Sequence, residues 1–498
     1  MKYNNPIILS DYSDPDVIKY KDAYYLVASS FNHTPILPIL KSKNLIDFKL
    51  LRYADYKIPF DRFKDVYHGE GVWAPSIRFH NNKFYIIVPY PDEGIWIYET
   101  NDIEKGKFTS WPLILGKGII DPCPIWKDDK CYLVVGFAKS RIGFNSMLGL
   151  YEITPDLKKC ISDTYQIIYD GHNNNPTIEG PKFYYRNDYF YILAPAGSVK
   201  SGWQVALRSK NVYGPYESKI VMLQNDSKIN GPHQGALVEY EDDKYVFYHF
   251  QDLGPYGRVV LLQPVKWIND WPIIGDVRDE LLAGSALESY NYFINKKSNY
   301  KIISSDKFNK NRLSLMWQTP ANKDQNWFKP TKDGLYLNIV DTNNLPLNKI
   351  PNSLLTKLVF YSFEIKTKCI INLINNNDEV GLCYMGNKYS YISVKMINNK
   401  KFILLSIGKF NELDKIIKKI PFDDNEIIFN LKYSYPNKYQ LGFNNCYFDE
   451  VFEATPGRWI GGKYGIFARG KKLGGNAKFL YFNVENETKR KWWIHIRY

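Results

Sequence analysis

A chain of 498 residues is too long for one typical core and suits two domains. Its formal charge of +13 comes from lysines spread along the sequence, with clusters only at residues 415–419 and 489–491, which argues against a nucleic-acid-binding surface. Six cysteines without a CxxC or a paired-histidine spacing exclude a zinc module and read as free thiols, and no apolar run approaches a membrane span.

The chain opens almost directly on Asn5-Pro6-Ile7-Ile8, with no basic-then-apolar leader, so a cytoplasmic location is expected. A strand signature then recurs five times: a turn, an apolar pair, a polar hairpin tip and an aromatic strand. It runs from Asp14-Pro15-Asp16-Val17-Ile18 to Tyr24-Tyr25, from Ala74-Pro75-Ser76-Ile77 to Phe84-Tyr85, and from Asp121-Pro122 to Cys131-Tyr132. It returns from Glu179-Gly180-Pro181 to Phe190-Tyr191, and from Gln234-Gly235 to Tyr245-Val246. Repeats of roughly 45 to 60 residues built from short strands predict a five-bladed β-propeller over residues 1–280. A connector without periodicity follows, centred on 281–303, and short strands from Phe308 onward predict a β-sandwich over 304–498. No long helix is expected, and the class is all-β.

Three acids share a register. Eleven positions before the anchors Tyr25, Tyr85, Tyr132, Tyr191 and Val246 stand Asp14, Ala74, Asp121, Gly180 and Gly235, and Glu179 is one residue further back. Asp before Pro often only starts a turn. Acids at one register in three blades instead converge on the propeller axis, where like charges drive their pKa values apart and separate a proton donor from a base. Glycoside hydrolysis needs that division. The high Tyr content fits strand cores and also sugar stacking.

Gly457-Arg458-Trp459-Ile460-Gly461-Gly462-Lys463 has the spacing of a phosphate loop, but Tyr464 stands where Ser or Thr is needed and a strand follows, so it reads as a sandwich turn. HExxH, GxSxG and complete GxGxxG motifs are absent.

In the order and spacing of these motifs the chain resembles glycoside hydrolase family 43. Asp14-Pro15-Asp16, Trp73-Ala74-Pro75-Ser76, Asp121-Pro122, Thr177-Ile178-Glu179-Gly180-Pro181, Gly231-Pro232-His233-Gln234-Gly235, Tyr256-Gly257-Arg258 and Gly457-Arg458-Trp459-Ile460-Gly461 carry the likeness. The resemblance implies an inverting exo-glycosidase that removes terminal β-D-xylosyl or α-L-arabinofuranosyl residues from short oligosaccharides, with a concanavalin-like C-terminal domain. It implies Asp14 as general base, Glu179 as general acid and Asp121 as the modulator of the acid's pKa. Substrate contacts are expected from Trp73, Phe31, Arg258, His233 and Gln234, and His233 is the candidate ligand of a structural Ca2+ in the channel. No cofactor is expected for the chemistry. Ile36 departs from the family pattern, where Gly is common, and leaves the first-blade loop and the sugar preference open. The competing reading is a non-catalytic carbohydrate-binding propeller, whose mark would be a lost acid. The expected partner is a xylo- or arabino-oligosaccharide, not nucleic acid or membrane, with homo-oligomerisation open.

Overall fold

The structure is a computed structural model that describes residues 2–277, 283–291, 293, 302–342 and 345–487. The basic cluster at 489–491 lies outside the described residues.

Residues 16–274 form five antiparallel sheets in chain order, each built on four consecutive strands. The hairpins that open the blades follow from their tips. Asn81-Asn82, Asp128-Asp129 and Asn187-Asp188 all take positive φ, and such two-residue loops match the right-handed twist of the flanking strands. The inner strands are Asp16–Tyr20, Ser76–His80, Ile119–Lys127, Lys182–Arg186 and His233–Glu241, and the fifth packs against the first to close the ring. Blade faces meet through apolar clusters, such as Val27, Ile39, Ile77, Ile86 and Tyr98 between blades 1 and 2. This is the five-bladed propeller expected from the repeats.

The connector is more ordered than its lack of periodicity suggested. Gly284–Ser285 pairs in parallel with the outer strand of blade 4, Glu217–Leu223, and Asp276–Val277 pairs with Gly284–Ser285 in turn. Ser289–Asn291 pairs with Lys2–Asn4, and Asn5 Nδ2 bonds the carbonyls of Leu262 and Leu287. Strands of two or three residues are too short to leave a hydrophobic period, so pairing to a ready-made edge is what orders them.

Residues 328–486 form two facing sheets of eight and six strands. In Phe363–Asn372 buried and half-buried residues alternate, as in a strand with one face on a core. Residues 415–419 lie on Lys415–Pro421, the edge strand of the six-stranded sheet, where lysines oppose further pairing. The domains dock tightly. Thr34 and Thr319 exchange backbone hydrogen bonds, Asn32 Nδ2 donates to the Pro320 carbonyl, and Tyr256 sits among Tyr361, Tyr433 and Tyr435.

Candidate active site

The shared register is a shared kink. Asp14, Asp121 and Gly180 have φ of 56°, 54° and 58°, so three chains turn left-handed at the same place just before or within the inner strand. Asp tolerates this region better than most side chains, and Gly180 leaves room that Gln234 fills. Left-handed residues of this kind gather where a side chain must be aimed.

Asp14 is 4% exposed and held from both sides: Oδ1 accepts Arg258 Nη1 at 2.8 Å and Oδ2 accepts Ser29 Oγ at 2.6 Å. Asp121, also 4% exposed, accepts the Gly180 amide at 2.8 Å. A side chain on Gly136 would stand 3.6 Å from Asp121 Oδ2 and 3.7 Å from the Glu179 Cα, so these two acids are close neighbours. Glu179 keeps 36% of its side chain exposed and meets His233 Nε2 at 3.0 Å.

Burial, followed by the charge of Glu179, pushes the Asp121 carboxyl up to about 7, against the Gly180 amide and Lys182, which favour its charge. Glu179 lies below the usual carboxylate range: desolvation raises it, but the His233 bond and charge and the Arg258 charge outweigh that. The pair therefore holds a proton to near neutrality, on the deeper Asp121 when no sugar is present.

The Arg258 guanidinium is the ion-pair partner of Asp14 and lies over the Phe250 ring at 4.8 Å. Phe250 also packs on His233, with ring centroids 5.3 Å apart, so one ring supports the partners of both Asp14 and Glu179. Trp73 bonds the Gly69 carbonyl through Nε1 at 3.0 Å and is covered on its ring by Arg141 at 4.9 Å. Phe31 is buried with φ 51° and exchanges backbone hydrogen bonds with Val72, beside Trp73. Gln234 is buried against Gly180, and its Nε2 has no partner among the described residues. Ser29 and Arg141 escaped the sequence reading. Ser29 was within reach, because continuing the Asp16–Val27 register by two residues puts it opposite Asp14.

Below the acids the channel is filled. Asp16, fully buried, accepts Arg78 Nη1 at 2.7 Å and the Ile77 amide at 2.8 Å, and Lys182 Nζ stands 3.9 Å away, bonded to Ser76 Oγ at 2.7 Å. Arg78 Nη2 reaches Cys123 Sγ at 2.7 Å, and the Tyr184 hydroxyl accepts the Leu237 amide at 2.9 Å. All five blades contribute. A channel Ca2+ would meet two cations here. Among the described residues His233 Nδ1 is buried without a partner, but no three His, Cys, Asp or Glu side chains gather to hold a metal. The residues present do not make a protein-ligated cation site, and no step below uses one.

The sandwich reaches the mouth through the turn with phosphate-loop spacing. A side chain on Gly69 would meet Arg458 at 2.9 Å and Trp459 at 3.0 Å, and one on Gly257 would meet the Gly461 amide at 2.5 Å. The turn thus abuts the residues that carry Trp73 and Arg258.

Carboxylates from three blades around one cleft, two of them sharing a proton, are the equipment of a glycoside hydrolase. Residues 3–272 match the model of glycosyl hydrolases family 43, and residues 305–485 match that of the beta xylosidase C-terminal concanavalin A-like domain. The chain belongs to family 43. It is 35% identical over 378 residues to a Xylanibacter ruminicola protein with a provisional beta-xylosidase name, covering 74% of this chain and 68% of that one. It is 26% identical over 448 residues to a non-reducing end alpha-L-arabinofuranosidase of Bacteroides ovatus, covering 84% and 81%. A Formosa agariphila beta-xylosidase is 28% identical, and the match spans 70% of this chain and 63% of that one. In fold it superposes on a xylan beta-1,4-xylosidase of Bacillus halodurans with a TM-score of 0.83 at 19% identity, over 97% of this chain and 100% of that one.

Proposed function

We propose that the chain removes single terminal xylose or arabinofuranose residues from short oligosaccharides, with inversion at the anomeric carbon. The carrying observation is the division among the acids: Asp14 fixed by Arg258 and Ser29, and Asp121 and Glu179 coupled around one proton. Asp14 is the base. Hydrogen bonds from Arg258 and Ser29 hold its two oxygens and aim it at a water on the far side of the sugar. Glu179 is the acid. It is the open member of the pair, so a glycosidic oxygen entering the cleft meets it first and draws the proton there from the pair. Asp121 then takes up the resulting charge next to the Gly180 amide. The sandwich turn at Gly69 and Gly257 supports the exo mode, since a wall at the mouth admits a chain end rather than a chain middle.

The reading is tested with aryl β-xylosides and aryl α-arabinofuranosides between pH 5 and 8, and by NMR of the first-formed sugar. Release of a single inverted monosaccharide is expected from at least one of them. Inactivity on both, or a retained anomer, refutes it.

A further inference from the structure

The phosphate-loop spacing ends in Lys463, and the surroundings of this lysine are unlike those of the chain's other surface lysines. It is 4% exposed, its amine makes no hydrogen bond or ion pair with a described residue, and burial holds it below the ordinary lysine value. The acid that acts on it is Asp11, through space only, while Asp11 Oδ1 is engaged by Ser13 Oγ at 2.9 Å and the Arg258 amide at 3.0 Å. A largely buried amine of this kind either gives up its proton or keeps it with an anion beside it.

Lys463 lines a cavity of about 40 Å3 between the propeller and the sandwich. Three polar atoms on its walls are buried without partners among the described residues: His33 Nδ1, Ser353 Oγ and Asn348 Nδ2. Arg458 stands at the rim and none of the lining residues is acidic. Native structures leave few buried polar atoms unsatisfied, so several around one void point to an occupant. A water needs roughly 10–15 Å3 of such space, which limits the occupant to something no larger than about three to four waters and rules out a sugar or a phosphate ester. Burial and the charges of Lys463, His68 and Lys357 hold His33 well below its ordinary value, so the local field is positive.

We propose that this cavity binds one small monovalent anion of halide size, held by Lys463 with Ser353, Asn348 and His33, which locks the sandwich onto the propeller. The anion balances the ammonium, accepts from the hydroxyl, amide and imidazole, and fixes the start of the strand that follows the turn. Because that turn abuts Gly69 and Gly257, the same anion steadies the mouth of the active site. The spacing at 457–463 is thus put to electrostatic use without phosphate.

The full chain is exchanged into sodium gluconate, an anion too large for the cavity, and sodium chloride replaces it at constant ionic strength. A saturable Tm rise of about 1–3 °C is expected, since a ligand bound only by the folded state stabilises by mass action. Lys463→Met should be at least as stable as wild type in gluconate and insensitive to chloride. Ser353→Ala should weaken the response, which keeps the test decisive if Lys463→Met does not fold. A crystal soaked in bromide should show an anomalous peak beside Lys463 Nζ. A Tm that is the same in both salts, or density for water alone in the cavity, overturns the proposal.

Discussion

At the scale of single residues the three acids can be told apart by what each loses. Asp14→Ala removes the group that activates water, so turnover should fall by roughly 10^3-fold or more on every substrate. Glu179→Ala should fall comparably on oligosaccharides but by less than about tenfold on aryl glycosides whose leaving group needs little protonation. Steady-state kinetics on the two substrate types checks this, and equal losses for both variants contradict the assignment. Asp121 makes a pH prediction. With its carboxyl raised to about 7, the pair loses its proton as pH rises through neutrality, so kcat/KM should decline there. Asp121→Asn removes the like charge beside Glu179, lowers its pKa, and should move that decline to lower pH. Stability also falls as pH rises, beginning at lower pH. The folded state holds a proton on Asp121 that the unfolded state releases near 4, so wild-type stability falls as pH rises from about 4 to about 7. The Tm difference, Asp121→Asn minus wild type, should therefore be larger at pH 8 than at pH 5. The sequence exposed the acids through register, because a period marks positions. It did not expose that Arg258 would pair with Asp14, because that contact joins blade 1 to blade 5 and depends on ring closure.

At the scale of elements the hairpins were legible and the connector was not. Hairpin tips announce themselves by residue type, whereas Gly284–Ser285 gains its strand character from the edge it joins. The segment 256–258 shows how one turn serves two domains. Gly257 has φ 72°, and a methyl there would stand 2.5 Å from Asp11 Oδ1 and from the Gly461 amide. Gly257→Ala combines left-handed strain with a clash against backbone, each of about 1–3 kcal/mol. It should lower Tm and reduce kcat/KM at least tenfold by displacing Arg258 from Asp14, measured by thermal melts and aryl glycoside assays. Unchanged activity would show that the ion pair tolerates movement of its support.

At the scale of the whole molecule the sandwich is continuous with the catalytic domain. Tyr256, Leu261 and Trp271 of the propeller share one apolar cluster with Phe363, Tyr433 and Tyr464 of the sandwich. Truncation after Asn291 would expose that surface, and the expected product is aggregated or nearly inactive. A soluble fragment of full activity and unchanged product profile would make the second domain a passenger.

The ladder of Asp16, Arg78, Lys182 and Cys123 beneath the acids has a kinetic meaning as well as a structural one. It makes the cleft a blind alley. The shortened oligosaccharide departs from the mouth, and the freed monosaccharide, lodged deepest, can leave only by the same door after it. Until it does, the next chain end waits outside. The liberated sugar and the incoming substrate therefore contend for one seat, so accumulating product should slow the enzyme by competition.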